Sequence, residues 1–267
     1  MKTEGIPDLQ INETMKLAIN ISGHTREMCK TTYPTLKSQI LDKYDCDVFV
    51  STFTRTGNRR FISNNGEPIN SQKIVSAKDI EQIYSPKVLL MYDELSPEQL
   101  QYNQRFQGLQ HAGIFIKPEC CFDMFSKLMS MNRRIEEYSR NNNVSYDYIL
   151  RLRPDIIIGT FNMNNAITKG MSFQRHSNDP AHPYYSTLIV DVTFIGDYET
   201  TIKMSHYWLK WENLVEHNEI PNKWNNAESM LCDFIKYFNI PHVMQHVNEP
   251  SSFIICGVQR PYASGWW

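Results

Sequence analysis

The sequence has no excess of basic charge: 27 Lys and Arg stand against 29 Asp and Glu, a formal net charge of −2 at pH 7. A nucleic-acid binder carries a basic surplus or stripe to neutralise phosphates, so that partner class is excluded. No apolar run approaches the ~20 residues of a membrane span, and the polar opening MKTEGIPDLQINETMK is not expected to act as a secretory signal. The six cysteines, Cys29, Cys46, Cys120, Cys121, Cys232 and Cys256, lack any CxxC spacing. That excludes a zinc ribbon or a small disulfide scaffold and predicts free, buried thiols in a reducing, cytoplasmic setting. Glycine-rich phosphate loops of the GxGxxG and GxxxxGK[ST] types are missing, as are GxSxG and HExxH.

What is present is enough apolar material for a core: 41% hydrophobic and 12% aromatic residues in a chain of 267. The patterning alternates strands with helices. Lys16–Ile21, Asp47–Thr52, Lys87–Tyr92, Tyr146–Asp155, Leu188–Gly196 and His242–Val247 read as strands. Pro154 removes a ladder donor, so pairing in the fourth of these is expected to cease there. Met28, Leu36 and Ile40 share a helical face that Pro34 weakens. Phe122, Phe125, Leu128, Met129, Ile135 and Tyr138 mark a long amphipathic helix stopped by Asn141–Asn143. A helix with Ile202, Tyr207, Trp208, Trp211, Leu214 and Val215 follows the fifth strand. Asn225 caps another, whose apolar face is Met230, Leu231, Phe234, Ile235 and Phe238. Residues 54–75 read as an irregular excursion, 97–113 as a surface helix or loop, and 174–186 as a long loop suited to a substrate. The whole, 1–267, reads as one α/β domain around a mostly parallel sheet.

Parallel sheets place ligands at the carboxyl ends of their strands, which directs attention to Ser22–Arg26, Ser51–Arg55, Tyr92–Asp93 and Arg151–Asp155. Period two puts Arg151, Arg153 and Asp155 on one face of an extended segment. Two guanidiniums beside a carboxylate suit a site that holds phosphates together with a divalent metal. They equally suit a structural ion-pair network under a loop. Gly23 allows close backbone approach, and Arg26 on the following turn could reach a diphosphate; an ordinary glycine turn reads the same way. Glu228, three residues after Asn225, fits a capping box or a catalytic carboxylate at a helix start. His242 and His246 have helical metal spacing, but within a strand they stand roughly 13 Å apart, so a two-histidine metal pair is not expected. Tyr207, Trp208 and Trp211 read as core, with a sugar-stacking platform as the alternative.

The helix run MSMNRRIEEY (129–138), followed by YDYILRLRPDI (146–156), resembles a group of viral and bacterial glycosyltransferase-like proteins. Asn132, Arg133, Ile135, Glu136 and Tyr138 carry the likeness within the helix. Residues 19–26, 47–52, 191–196 and 227–231 are similar to the group's opening strand and turn, second strand, acceptor-side strand and late helix. The resemblance implies a GT-A-like, Rossmann-related fold, a nucleotide-sugar donor, a glycan or glycoprotein acceptor and Mn²⁺ or Mg²⁺. It implies donor contacts from Ser22, Gly23, Arg26, Thr52, Arg151 and Arg153, and metal contacts from Asp155 and His246. Glu228 would be the base of an inverting transfer, with Asp191 as the next candidate. Arg153 stands where the first Asp of a DxD-type motif belongs, so the implied metal site has one carboxylate. A viral member would act in the host cytoplasm. A non-catalytic module that binds nucleotide sugars or glycans on the same fold is the alternative.

Overall fold

The computed structural model describes residues 15–25, 29–55, 74–93, 96–106, 118–166, 169–175, 189–220, 224, 227–246 and 252–258. The first strand, β1 (Lys16–Ser22), is buried on both faces because it lies inside the sheet, with Leu17, Ile19 and Ile21 on one and Ala18, Asn20 and Ser22 on the other. Helix α1 (Cys29–Leu36) contains Pro34 and passes into a π-helical turn, Lys37–Leu41, as a missing proline N–H would favour. Then come β2 (Asp45–Phe53), α2 (Ala77–Tyr84), β3 (Val88–Tyr92) and α3 (Pro97–Gln104). Ser76 caps α2 by accepting from Asp79 N at 3.1 Å, and Ser96 caps α3 by accepting from Gln99 N at 3.2 Å. The long helix α4 (Pro118–Asn142) ends at Asn143, whose φ of +52° is the left-handed conformation that asparagine tolerates.

Next are β4 (Tyr148–Leu152), β5 (Ile156–Phe161), the short α5 (Met163–Ala166), β6 (Met171–Arg175) and β7 (Ile189–Asp197). The chain closes with α6 (Tyr198–Glu216), α7 (Ala227–Tyr237), β8 (His242–His246) and β9 (Ile254–Val258). Asp197 caps α6 by accepting from Thr200 N at 2.8 Å. Pairing of β4 does stop before Pro154, as expected, but the chain restarts at once as β5. The sequence reading does not contain β5, β6, β9 or α2.

Among the described residues seven strands form one sheet in the order β3-β2-β1-β4-β7-β6-β8, and β5 pairs with β9 in a second, two-stranded sheet. β7 runs antiparallel to both its neighbours, while the other pairings in the large sheet are parallel. The expected α/β architecture with a mostly parallel sheet is therefore present. Leu17, Ile19 and Ile21 of β1 pack with Val48, Val50, Leu150 and Leu152 under α1, α2 and the β5–β9 ribbon. On the other face lie α4, α6 and α7, with Trp208 and Trp211 fully or almost fully buried, which settles their role as core rather than as a sugar platform. No helix among the described residues is long and apolar enough to cross a membrane.

Cys46, Cys121 and Cys232 are free thiols, as the spacing predicts. Burial first, then the Asp45 and Asp47 carboxylates, push the Cys46 thiol up from an ordinary 9.0 to about 11, against the opposing Lys16 ammonium. Alkylation needs the thiolate, so a raised pKa slows it. At pH 8 iodoacetamide should modify Cys46 about 100-fold more slowly in the native protein than in urea, and the native rate should climb about tenfold per pH unit. Peptide mapping by mass spectrometry checks this; equal rates in both states would contradict it.

Candidate functional site

The strand order reverses between β1 and β4: β1 leads to β2 on one side, and β4 flanks it on the other. Such a switch point leaves a crevice outside the carboxyl ends of the two strands. β1 ends there in Ser22, and Gly23 turns the chain with φ of +132°, a conformation that favours glycine. Its N–H donates to Ser51 O at 3.0 Å, and Thr52 Oγ1 donates to Gly23 O at 2.8 Å, so the ends of β1 and β2 are tied together. His24 stacks on Phe53 with ring centroids 3.9 Å apart.

From the other side comes the corner Arg153–Pro154–Asp155. A Cβ on Gly23 would stand 3.4 Å from Pro154 Cδ, which shows how closely turn and corner pack. Thr32 Oγ1 holds the Pro154 carbonyl at 2.9 Å. Arg153 donates its fork to Asp155, Nε to Oδ1 at 2.8 Å and Nη2 to Oδ2 at 2.6 Å. Arg151 lies beneath, 1% exposed, with Nη2 3.5 Å from Ser22 O, and Thr193 Oγ1 donates to its carbonyl at 2.9 Å.

The structure thus gathers Ser22, Gly23, Thr52, Arg151, Arg153 and Asp155 at the switch point. It also spends many of their polar atoms internally, since Ser22 Oγ donates to Asn20 Oδ1 and Thr52 is committed to Gly23. Arg26, Met28, Asn225 and the loop carrying His176, Asp179 and His182 lie outside the described residues, as do 56–73 and 107–113. Asp191 and His246 are placed by backbone alone. β7 enters the sheet at the edge where β4 ends, because Thr193 pairs with Leu152, and Asp191 precedes it by two residues. His246 pairs with Arg175 at that same edge. β8 is three strands from β4, roughly 14 Å by sheet spacing, which an ion shared by His246 and Asp155 would have to span. Glu228, half-buried, sits in the first turn of α7. That helix is about 16 Å long, packs against β7 and is followed after four residues by β8.

A second polar layer supports the crevice from the α4 side, and the sequence reading does not contain it. Asn20 Nδ2 donates to Leu128 O at 3.1 Å and to Asn132 Oδ1 at 2.7 Å, while accepting from Ser22. A polar residue interrupting an apolar strand was the available signal. Lys127 is buried between the Phe53 and Tyr92 rings, 4.8 and 4.7 Å from their centroids, with Gln99 Oε1 at 2.7 Å and Asp123 as its counter-ion. It fixes the carboxyl ends of β2 and β3 against α3 and α4.

The implied Mn²⁺ or Mg²⁺ can be tested against these residues. Both oxygens of Asp155 accept from Arg153, and the carboxylate is 1% exposed while the guanidinium side chain is 12% exposed. A cation bound by Asp155 would have to displace the Arg153 fork from both carboxylate oxygens, so this corner as it stands does not fit a divalent cation. Neither a protein-family model nor a curated protein matches this sequence.

Proposed function

We propose that the protein is a glycosyltransferase that binds a nucleotide-diphosphate sugar at the β1/β4 switch point and transfers the sugar to a hydroxyl of a glycan or glycoprotein. The observation that carries this reading is the packing of the Gly23 turn against the Arg153–Pro154–Asp155 corner where the strand order reverses. The resemblance of residues 129–156 to glycosyltransferase-like proteins, which implies a GT-A-like scaffold, points the same way. In the transfer the acceptor oxygen bonds to the anomeric carbon as the bond from that carbon to the diphosphate oxygen breaks. The electron pair leaves with the diphosphate, whose charge Arg153 offsets, and the acceptor proton passes to Glu228.

One observation favours the non-catalytic module instead: Arg153 stands where the first Asp of a DxD-type motif belongs, and its fork engages the remaining carboxylate, Asp155. A thermal-shift screen of nucleotide diphosphates and their sugars, followed by a donor-hydrolysis assay, separates the two. A bound nucleotide at 100 times its Kd should stabilise the fold by about 2.7 kcal/mol. Slow hydrolysis of the donor without acceptor supports the enzyme. Stabilisation with no turnover on any acceptor supports the module, and no stabilisation by any nucleotide refutes the enzyme and leaves only a glycan-binding module.

A further inference from the structure

Asn20 is a fully buried amide in a strand that is otherwise largely apolar. A buried amide costs stability unless both of its ends are satisfied. Here the partners also decide which way it points. Its two amide hydrogens go to α4, one to Leu128 O at 3.1 Å and one to Asn132 Oδ1 at 2.7 Å. A backbone carbonyl can only accept, so Nδ2 must face the helix and Oδ1 must face the other way. That oxygen accepts from the hydroxyl of Ser22, the last residue of β1. Asn132, itself 1% exposed, is oriented in turn, because its Oδ1 is taken by Asn20 and its Nδ2 lies 3.9 Å from Met129 Sδ. A directional chain of hydrogen bonds therefore runs from the middle of α4 to the residue that precedes the Gly23 turn.

The neighbouring strand is tied to the same stretch of helix. Ser51 pairs in register with Ser22, and its Oγ donates to Lys127 O at 3.5 Å. Consecutive carbonyls of α4, at 127 and 128, thus receive the two strand ends that the Gly23 N–H joins through Ser51 O. Apolar packing alone would tolerate small slides of the helix along the sheet. A satisfied polar chain with fixed donors and acceptors admits one register.

We infer that Asn132 is a positioning residue, which acts through Asn20 and Ser22 to hold the Gly23 turn where it receives a nucleotide diphosphate. The inference rests on the nucleotide reading of the switch point. It also changes the task that the resemblance implies for Ser22. The hydroxyl hydrogen of that residue is spent on Asn20, so it has no proton to give a phosphate oxygen, and its work is to hold the turn.

Calorimetric titration of the full chain with UDP, GDP and CDP tests it. Asn132→Leu keeps an apolar filling but withdraws the acceptor from Asn20, and it should raise Kd at least about fivefold. Asn132→Asp should restore Kd to within about twofold of the unaltered chain, since burial favours the neutral acid, which keeps the accepting oxygen. Val215→Ala, a change to a fully buried residue of α6, should lower the melting temperature without moving Kd beyond about twofold. Should Asn132→Leu fail to fold, Asn132→Ala carries the same comparison. Unchanged affinity in the Asn132 variant, or an equal loss in Val215→Ala, would overturn the inference and leave the nucleotide reading standing. No binding of any of the three nucleotides by the unaltered chain would overturn both.

Discussion

Replacing Glu228 by Gln should leave the melting temperature and nucleotide binding close to those of the unaltered protein while sugar transfer falls by about 10²- to 10⁴-fold. The side chain lies in the first turn of α7, where a carboxylate is favoured by the helix dipole at about 0.3–1 kcal/mol. Gln keeps the shape and the hydrogen-bonding reach, so the structural loss is small. It cannot accept the acceptor proton, so a base is lost entirely. α7 packs against β7 and leads into β8, both of which lie on the β4 side of the switch point. Initial rates with saturating donor, alongside thermal melts, make the measurement. Transfer at the original rate would remove Glu228 and shift the role to Asp191, at the same edge of β7, or to a retaining mechanism. A collapsed melting temperature would show that Glu228 serves the helix.

Much of the scaffold is written locally. The apolar runs at 16–22, 45–53 and 189–197 read as strands from their own residues, and the spacing of Phe122, Phe125, Leu128, Met129 and Ile135 reads as a buried helical face. The ends of these elements, and so the cluster Ser22, Gly23, Thr52, Arg151, Arg153 and Asp155, follow from that patterning once the sheet is taken as parallel. The choice between a phosphate–metal site and an ion pair at Arg153 and Asp155 did not follow. Spacing of two residues permits both, and only the turn at Pro154 folds the fork back onto the carboxylate. β5 and β9 escaped for a different reason. The Ile156–Ile158 run has strand character, but its partner is close to a hundred residues away, pairing Ile158 with Cys256. Buried polar contacts are likewise long-range: Asn20 meets Asn132 beneath the crevice across 112 positions, and Tyr102 meets Glu212 in the helical layer across 110. Such contacts have no local signature beyond a polar residue in an apolar setting.

Trp208→Ala should be the most damaging change to stability among the core residues, costing about 3–5 kcal/mol. At about 2–4 °C per kcal/mol for a domain of this size, the melting temperature should fall by about 6–20 °C. The indole is 0% exposed, with Phe234, Phe125 and Phe122 at centroid distances of 5.3, 5.4 and 5.7 Å. It joins α4, α6 and α7, and truncation leaves a cavity that three helices cannot close together. A polar loss adds to the apolar one. Trp208 Nε1 donates to Glu212 Oε1 at 2.7 Å, and Tyr102 OH donates to the same oxygen at 2.5 Å. Glu212 is a buried carboxylate, 4% exposed, that depends on both donors. Trp208→Phe separates the contributions: it refills most of the cavity but withholds the N–H. Its melting temperature should lie between those of the alanine variant and the unaltered protein, with the remaining deficit reporting the lost donor. Because the residue lies in the helical layer and not at the crevice, nucleotide affinity measured below the melting transition should be unchanged in the phenylalanine variant. An affinity loss there, without a stability loss, would return Trp208 to the sugar-stacking role that its burial argues against.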